Sequence, residues 1–319
     1  MKKILVTGGA GFIGSHLVEK ILEENTWEVY CIDNFDTFYD HEIKRKNISA
    51  ALKNSNFKLL EGDIRDVSFL EVVFKNTYDV IVHLAAKAGV RPSIESPLMY
   101  EDVNIKGTFN LLEKAREHAV KQFVFAGSSS VYGENPRTPW SESDFVLNPI
   151  SPYAATKVSC ELIGHTYAHL YKIRFISLRF FTVFGPRQRP DLAIHKFFKL
   201  IDSGQPIPFF GDGATSRDYT FVSDIVQGIC AAIEYDKSIY EVINLGNNRT
   251  IKLLQLIEAI ETVLNKKAIL NKMPMQAGDV PHTFADITKA TKLLNYHPVT
   301  SLEKGILAFK EWYFTEYKK

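Results

Sequence analysis

The hydrophobic positions in the first half of the chain fall into short apolar runs separated by segments with helical spacing. Six of these runs are KILVTG, VYCIDN, FKLLEGD, DVIVHLAA, QFVFAGSS and RFISLRFF. Short runs rich in β-branched and aromatic residues predict the buried strands of a parallel sheet. The segments between them, such as 11–24 and 153–171, repeat apolar residues every three or four positions and predict helices. The alternation predicts an α/β fold with a Rossmann-type, doubly wound parallel sheet.

The pattern loosens after about residue 180. Helical spacing recurs near 192–202, 223–235, 252–264 and 301–317, and YEVINLG reads as a short strand. We predict a Rossmann domain over 1–179, to which the chain returns around 219–246. Residues 180–218 and 247–319 are predicted to form a smaller, mixed α/β domain for the substrate. This domain would lie over the carboxyl edge of the sheet, where open α/β sheets bind ligands.

Composition narrows the possible classes of protein. The 319 residues are 45% hydrophobic and carry a formal net charge of +1, which fits an enzyme without bulk attraction to nucleic acid or membranes. No apolar run approaches the ~18 residues that a membrane span needs. Cys31, Cys160 and Cys230 lack the spacing of a zinc site or a disulfide framework. We therefore expect a cytoplasmic protein without a bound metal.

A glycine motif follows the first predicted strand. Gly9, Gly11 and Gly14 form G-x-G-x-x-G at the start of the first predicted helix, and Gly8 precedes them. This spacing allows a tight turn whose backbone N–H groups approach a pyrophosphate. Asp33, at the end of the second strand, can accept hydrogen bonds from a ribose and would repel the 2′-phosphate of NADP, so the pattern favours NAD. The alternative is a turn without a ligand, with Asp33 as a cap.

Two further strand ends extend the predicted cofactor site. Asp63 can reach an adenine amino group, and the small Ala85 and Ala86 permit close approach of a cofactor, although tight helix packing would also explain them. The complete predicted NAD-binding set is Gly8, Gly11, Phe12, Ile13, Gly14, Asp33, Asn34, Asp63, Ile64, Leu84, Ala85, Ala86, Lys87, Asn104, Tyr153, Lys157 and Phe180.

The segment YAATK places Tyr153 and Lys157 on one face of a predicted helix. An ammonium near a phenol favours the phenolate and can also bond a ribose, so Tyr153 could take a proton from a hydroxyl as hydride leaves the same carbon. Ser128, after the fifth strand, could bond the same oxygen. Such a Tyr–Lys pair alone is usually a solvated helix face. Its combination with the glycine motif and a serine run favours catalysis.

These motifs resemble a known family. TGGAGFIG, HLAAKAG, SSSVYG and YAATK are similar to the extended short-chain dehydrogenases/reductases that act on nucleotide sugars. The resemblance implies that Tyr153 is the general base, that Lys157 assists it and binds ribose, and that Ser128 bonds the sugar hydroxyl. It also implies a homodimer formed by paired helices, including the helix of Tyr153.

Two serines distinguish branches of this family. Ser129 and Ser130 stand where the family's 4,6-dehydratases have an Asp–Glu pair, and its UDP-glucuronate decarboxylases have Glu at the position of Ser130. Dehydration and decarboxylation are therefore disfavoured, which leaves reversible oxidation at C4 of the sugar. AGVRPSIESP and FFTVFGPRQRPD resemble the branch that epimerises UDP-glucuronate, and Thr182 stands where UDP-galactose 4-epimerases typically have Asn.

The expected protein is thus an isomerase that converts UDP-glucuronate to UDP-galacturonate through a transient 4-ketone, with no decarboxylation. A 4-epimerase of UDP-glucose or UDP-N-acetylglucosamine is the alternative within this class. From another class, a catalytically silent NAD sensor could keep the glycine motif, but it would not need the tyrosine, the lysine and the serine run together.

The predicted substrate residues come from several loops. Arg189 and Arg217 suit phosphate oxygens, Arg189 could instead meet the sugar carboxylate, and Arg217 could merely pair with Asp218. Phe210 could stack on uracil or belong to the core. Ser130 and Thr182 could donate hydrogen bonds to the carboxylate, although Ser130 could simply cap its loop. The complete predicted set is Arg91, Ser128, Ser129, Ser130, Thr182, Arg189, Phe210, Arg217 and Asp279.

Overall fold

A seven-stranded parallel sheet forms the centre of the protein, in a computed structural model that describes residues 1–274 and 280–318. Strands are numbered here in chain order, and those of the sheet are β1 (Lys2–Thr7), β2 (Trp27–Asp33), β3 (Phe57–Glu61), β4 (Val80–His83), β5 (Gln122–Ser128), β6 (Arg174–Phe180) and β11 (Tyr240–Leu245). Their spatial order is β11-β6-β5-β4-β1-β2-β3. The predicted doubly wound fold is confirmed.

Helices cover both faces of the sheet. One face is packed by α1 (Phe12–Glu24) and α9 (Val222–Ile233), and the other by α3 (Val67–Val73), α6 (Gly107–Glu117) and α7 (Pro152–Tyr171). Leu17 and Ile229 are fully buried in the first layer, and Leu111 and Cys160 in the second. Because both faces of the strands are covered, their sequences are nearly continuous apolar runs rather than alternating ones.

The second half of the chain contributes both to the sheet and to a separate hydrophobic core. β11 pairs with β6, so this part of the chain returns to the edge of the sheet. The separate core is built by α8 (Ala193–Asp202), α10 (Leu253–Leu264) and α12 (Leu302–Trp312) around residues such as Phe198 and Phe309. The segment predicted as one helix over 301–317 changes to a π-helical turn at Tyr313–Tyr317. The division into two domains stays a prediction.

Short elements complete the architecture. Three two-stranded sheets pair β7 (Thr182–Phe184) with β10 (Tyr219–Phe221), β8 (Ile207–Phe210) with β13 (Leu270–Met273), and β9 (Ser216–Arg217) with β12 (Ile251–Lys252). The remaining α-helices are α2 (His41–Asn47), α4 (Val90–Glu95), α5 (Pro97–Tyr100) and α11 (Thr288–Leu294). Within residues 1–274 and 280–318, no helix has the length and apolar character required to cross a membrane.

A buried histidine lies at the carboxyl end of β4. His83 is 2% exposed, with Nδ1 2.7 Å from Thr7 Oγ1 and Nε2 3.0 Å from Thr108 Oγ1. Burial, and secondarily the charge of Lys157, lowers the pKa of this imidazole to about 3. The folded protein therefore holds His83 neutral at pH values where an exposed imidazole is protonated.

We expect this histidine to make the protein acid-sensitive. Below pH 6.5 the unfolded chain binds a proton that the folded state excludes, so the stability contribution is complete above 6.5 and is lost as pH falls towards 3. The loss amounts to at most about 1.4 kcal/mol per pH unit. Urea midpoints at neutral pH and at pH 5 measure it. His83→Gln, which retains hydrogen-bonding groups, should reduce the difference between the two midpoints, whereas an unchanged difference would contradict this role.

Candidate active site

One large cavity opens at the carboxyl edge of the sheet. Its volume is about 520 Å³, and the ends of β1, β2, β4, β5 and β6 contribute to its wall together with loops from the second half of the chain. The structure brings together on this wall most of the residues predicted from sequence: Gly8, Gly11, Phe12, Ile13, Gly14, Asp33, Asn34, Asp63, Ile64, Leu84, Ala85, Ala86, Lys87, Ser128, Ser129, Ser130, Tyr153, Lys157, Phe180, Thr182, Arg189 and Arg217.

The glycine turn between β1 and α1 is too tight for side chains. Gly8 has φ of 72°, and a Cβ there would lie 2.7 Å from Ala85 N. A Cβ on Gly14 would lie 2.2 Å from Gly8 O. Helix α1 begins at Phe12 with no side-chain cap, and its first residues line the cavity. The N–H groups of this first turn are therefore free of a capping side chain and can serve as donors to an anion. This turn fits the pyrophosphate of a dinucleotide.

Asp33 lies at the end of β2, where the prediction placed a ribose acceptor. Its carboxylate accepts hydrogen bonds from Ala10 N at 3.1 Å and Phe35 N at 2.9 Å. Burial raises the pKa of this carboxyl, and these backbone donors and the nearby Lys44 charge oppose that shift. The side chain is thus fixed by the glycine turn and by the loop that follows β2.

Asp63, the predicted adenine contact, is already well bonded. It accepts hydrogen bonds from Arg65 N, Nε and Nη2 at 2.8, 3.0 and 2.8 Å and from Asn34 Nδ2 at 2.9 Å. The hydrogen bonds from Arg65 hold the pKa of the carboxyl at about 2. These four donors use about all the acceptor positions of a carboxylate. Its role towards adenine stays a prediction.

Asn104 supports the cavity from behind rather than lining it. Its Oδ1 accepts from Lys87 N at 2.8 Å, and its Nδ2 donates to Lys87 O and to Thr156 Oγ1, both at 3.0 Å. The side chain is 2% exposed. It therefore ties the segment after β4 to helix α7, which carries Tyr153.

Helix α7 positions the tyrosine and the lysine. Ser151 caps its first turn by accepting from Ala154 N, and the helix begins at Pro152, whose fixed φ suits a first turn. Lys157 Nζ donates to Ala126 O of β5 at 2.8 Å and lies 5.9 Å from the centre of the Tyr153 ring. Both residues line the cavity, so the helix presents them to a ligand together.

The serine run continues from β5 into a short 3₁₀ turn. Ser128 Oγ accepts from Ser130 N at 3.2 Å and from Ser130 Oγ at 2.9 Å. This leaves the hydroxyl hydrogen of Ser128 available for a ligand. The Ser130 hydroxyl is used inside the turn and would have to rotate before it could donate to a substrate.

The predicted substrate residues divide into three groups. The first group lines the cavity and comprises Ser128, Ser129, Ser130, Thr182, Arg189 and Arg217. Arg91 and Phe210 are not part of its wall among the described residues, and instead the Arg91 guanidinium lies 5.3 Å from the centre of the Phe210 ring. Asp279 lies outside the described residues.

Sequence reasoning missed the loop between β2 and α2 and the helix α2 itself, which carries Lys44. Phe38, Tyr39 and Lys44 line the cavity, and Asp36 pairs with Lys87 at 2.7 Å. Lys44 is buried, and its Nζ lies 4.8 Å from the centre of the Tyr39 ring. The available signal was position, since this loop directly follows the acidic residue that ends β2.

Comparison with known proteins identifies the family. The sequence profile described as GDP-mannose 4,6 dehydratase matches residues 5–308. The chain belongs to this family. The GDP-mannose 4,6-dehydratase family belongs to the extended short-chain dehydrogenases/reductases, as predicted. The family name does not determine which reaction this chain catalyses, because the chain is also similar to relatives that carry the names of other activities.

The proteins to which this chain is similar include 4-epimerases. A UDP-glucuronate 4-epimerase of Thermodesulfobacterium geofontis is 43% identical over 97% of this chain and 95% of its own. The structure of the Bacillus cereus UDP-glucuronic acid 4-epimerase in complex with UDP-glucuronic acid and NAD is 38% identical, has a TM-score of 0.92, and matches over 99% of this chain and 100% of its own.

A UDP-glucose 4-epimerase from Thermotoga maritima, solved with UDP-glucose, is also similar. It is 34% identical over 98% of each chain, with a TM-score of 0.89. The fold of the GDP-mannose 4,6-dehydratase family therefore accommodates enzymes for charged and for neutral UDP-sugars, and the substrate of this chain must be argued from its own site.

Proposed function

We propose that this protein is an NAD-dependent 4-epimerase that converts UDP-glucuronate to UDP-galacturonate. The observation that carries the proposal is the set of residues that line one cavity together. It combines the glycine turn, the pair Tyr153 and Lys157, and the arginine Arg189, with serines at 129 and 130. This set can remove and return hydrogen at a hydroxyl-bearing carbon of an anionic sugar.

The cofactor part of the cavity suits NAD. The absence of side chains at Gly8 and Gly14 lets the turn fold tightly against the backbone of Ala85 and of Gly8, so that N–H groups at the start of α1 can meet a pyrophosphate, and the Asp33 carboxylate would repel a 2′-phosphate. When bound, NAD accepts hydride from the sugar and returns it. We assign the cofactor role to the residues predicted from sequence, with Asn104 acting through Lys87.

The proton moves through this chain's own side chains. The Tyr153 phenolate takes the proton of the C4 hydroxyl as that carbon is oxidised and becomes the phenol, which gives the proton back in the reverse step. Ser128, whose hydroxyl hydrogen is available, donates to the same sugar oxygen and holds it in place. The Lys157 ammonium stabilises negative charge on the phenol oxygen and bonds the ribose hydroxyls.

The residues before Val131 limit the reactions open to the oxidised sugar. Elimination of water needs an acid and a base near C5 and C6, and Ser129 and Ser130 provide no carboxyl group there. The 4-keto uronic acid is also a β-keto acid that can lose carbon dioxide, and we assign its protection to the groups that hold the carboxylate while the sugar rotates and accepts hydride on its other face. Epimerisation without loss of water or carbon dioxide is the expected result.

The sugar carboxylate is assigned to Arg189. Its guanidinium lines the same cavity as Tyr153, which acts at C4. In UDP-glucuronate the carboxylate is bonded to C5, the neighbour of C4, whereas the diphosphate is bonded to C1 on the opposite side of the ring. Thr182 adds a hydroxyl donor for the carboxylate, and Ser130 adds another once its hydroxyl has rotated away from Ser128 Oγ. Arg217, which also lines the cavity, is assigned to the diphosphate.

The substrate preference is tested with a panel of UDP-sugars and product analysis by NMR. Purified protein without added cofactor should convert UDP-glucuronate at least about tenfold more efficiently than UDP-glucose or UDP-N-acetylglucosamine, because the paired charges contribute about 1.5–3 kcal/mol. A neutral sugar converted faster than UDP-glucuronate would establish the alternative instead, a UDP-glucose or UDP-N-acetylglucosamine 4-epimerase.

We also propose that the protein acts as a homodimer through the faces of α6 and α7. Large apolar side chains are exposed on both helices, including Phe109 of α6 and Leu162 and Leu170 of α7, which are 41%, 57% and 58% exposed. Others are exposed in the segment that precedes α6. Adjacent exposed apolar groups favour burial against a partner. A second copy would cover them and hold α7, which carries Tyr153, more rigidly.

The proposed place of action is the cytoplasm. Cys31, Cys160 and Cys230 are free thiols in the structure, and Cys31 on β2 and Cys160 on α7 are buried. Free thiols persist where the surroundings are reducing.

A further inference from the structure

The turn after β7 contains two arginines that are each paired with a carboxylate. Arg187 Nη2 donates to Glu19 Oε1 of α1 at 2.8 Å, and Arg189 pairs with Asp191. Arg189 lines the cavity, and Arg187 does not. The same kind of ion pair therefore occurs twice within three residues, once at the site and once away from it.

The contact between Arg189 and Asp191 uses a single edge of the guanidinium. Arg189 Nε donates to Asp191 Oδ1 at 3.0 Å, and Nη2 donates to Oδ2 at 2.7 Å. Among the described residues, Nη1 makes no hydrogen bond. The end-on edge, formed by Nη1 and the second hydrogen of Nη2, is thus available for another carboxylate, since a guanidinium can bind two at once.

An aromatic ring from the cofactor side contacts the same group. The Arg189 guanidinium carbon lies 5.1 Å from the centre of the Phe38 ring, within the range of a cation–π contact. Lys87 Nζ lies 5.6 Å from the centre of this ring and pairs with Asp36 at 2.7 Å. Phe38 belongs to the loop that follows Asp33, the residue assigned to the cofactor ribose, and it contacts Lys87 from the segment after β4.

We propose that Asp191 and Phe38 are positioning residues that set the charge selectivity of the site, by holding Arg189 so that its end-on edge receives the carboxylate of a uronic acid. The inference rests on the proposed function, in which Arg189 binds that carboxylate. Asp191 holds one edge and Phe38 holds one face, so the guanidinium does not have to be ordered when the substrate binds. The cost of ordering a long side chain is then met in folding rather than in binding.

The effect of Asp191 on a bound carboxylate has two opposing parts. Its negative charge repels a second carboxylate, which would weaken binding. However, the guanidinium lies between the two anions, and each interacts with it at hydrogen-bond distance, much closer than they approach one another. Without Asp191, the partly buried Arg189 would lose two charge-assisted hydrogen bonds and its orientation. Positioning therefore outweighs repulsion, and removal of Asp191 should weaken uronate binding.

The test measures dissociation constants by titration calorimetry for the NAD-bound protein in a Tyr153→Phe background, which prevents turnover. Asp191→Ala should weaken UDP-glucuronate binding roughly tenfold and Phe38→Leu about two- to fivefold, while each changes UDP-glucose binding less than about twofold. Bound NAD, measured by absorbance after denaturation, should stay at the wild-type level in both variants.

Glu19→Gln is the matched control, because it breaks the ion pair of Arg187 on the same turn without touching the cavity. It should leave the ratio of the two dissociation constants unchanged. Arg189→Ala supplies the reference for complete loss of selectivity. If Arg189→Ala abolishes the preference for UDP-glucuronate and Asp191→Ala and Phe38→Leu retain it, the positioning inference is wrong and the proposed function stands.

Other outcomes separate the two claims equally clearly. Tighter binding of UDP-glucuronate by Asp191→Ala would mean that Asp191 competes with the substrate, and would overturn the inference. A protein with Arg189 intact that shows no preference for UDP-glucuronate over UDP-glucose would instead remove the proposed substrate.

Discussion

Replacing Tyr153 by phenylalanine is expected to lower kcat by about 10²–10⁴-fold, with UDP-sugar and NAD binding close to wild type. The change removes one oxygen, the group that takes and returns the C4 proton. The ring itself remains in place, because its packing does not depend on that oxygen. The Tyr100 ring meets the Tyr153 ring edge to face at 6.2 Å, and α7 is capped independently by Ser151.

Turnover by NMR and binding by calorimetry check this prediction. Tyr171→Phe is a matched control, since it removes a phenol oxygen from a half-exposed tyrosine at the end of the same helix. The control should keep wild-type kcat. A Tyr153→Phe protein with near-normal kcat would show that another group transfers the proton.

Gly14→Ala is expected to abolish the copurification of NAD and, with it, all turnover. A Cβ at this position would lie 2.2 Å from Gly8 O and 2.7 Å from Gly9 Cα, and both are backbone atoms that cannot rotate away. The turn would have to open, which would move the N–H groups of α1 from the pyrophosphate. Adding this one methyl group is therefore expected to remove the cofactor site rather than only weaken it.

The ratio of NAD to protein after purification measures this loss, and circular dichroism reports whether the fold is kept. Gly204→Ala is the control: Gly204 has φ of 68°, but a Cβ there meets no atom within 4 Å. That variant should lose some stability through backbone strain and keep its NAD. A Gly14→Ala protein with a full complement of NAD would contradict the assignment of this turn.

The strands and the major helices were predictable because their signal is local. The buried run of Ile4, Leu5 and Val6 identifies β1 without reference to any other part of the chain. The pairing of β11 with β6 depends on two segments far apart in sequence, so YEVINLG identifies a strand but not its neighbour. The π-helical turn at Tyr313–Tyr317 was missed because its apolar spacing resembles that of an α-helix.

The site was predictable where a short motif carries the geometry. The glycine turn and the pair on α7 each fix their own arrangement, and the sheet brings both to one edge. The positions of Phe38 and Asp191 were not predictable in this way. Phe38 lies where it does because of Lys87 and Arg189, which belong to other loops, and a contact between loops leaves no periodic pattern in the sequence.

Epimerisation through a transient 4-ketone is tested most directly by following the hydrogen at C4. UDP-glucuronate carrying deuterium at C4 is incubated with the protein as purified, without added cofactor, and the product is analysed by NMR and mass spectrometry. We expect UDP-galacturonate that retains deuterium at C4, with no accumulation of NADH, because the same hydride leaves and returns within one site. Product with ordinary hydrogen at C4, or NADH formed in proportion to product, would contradict it.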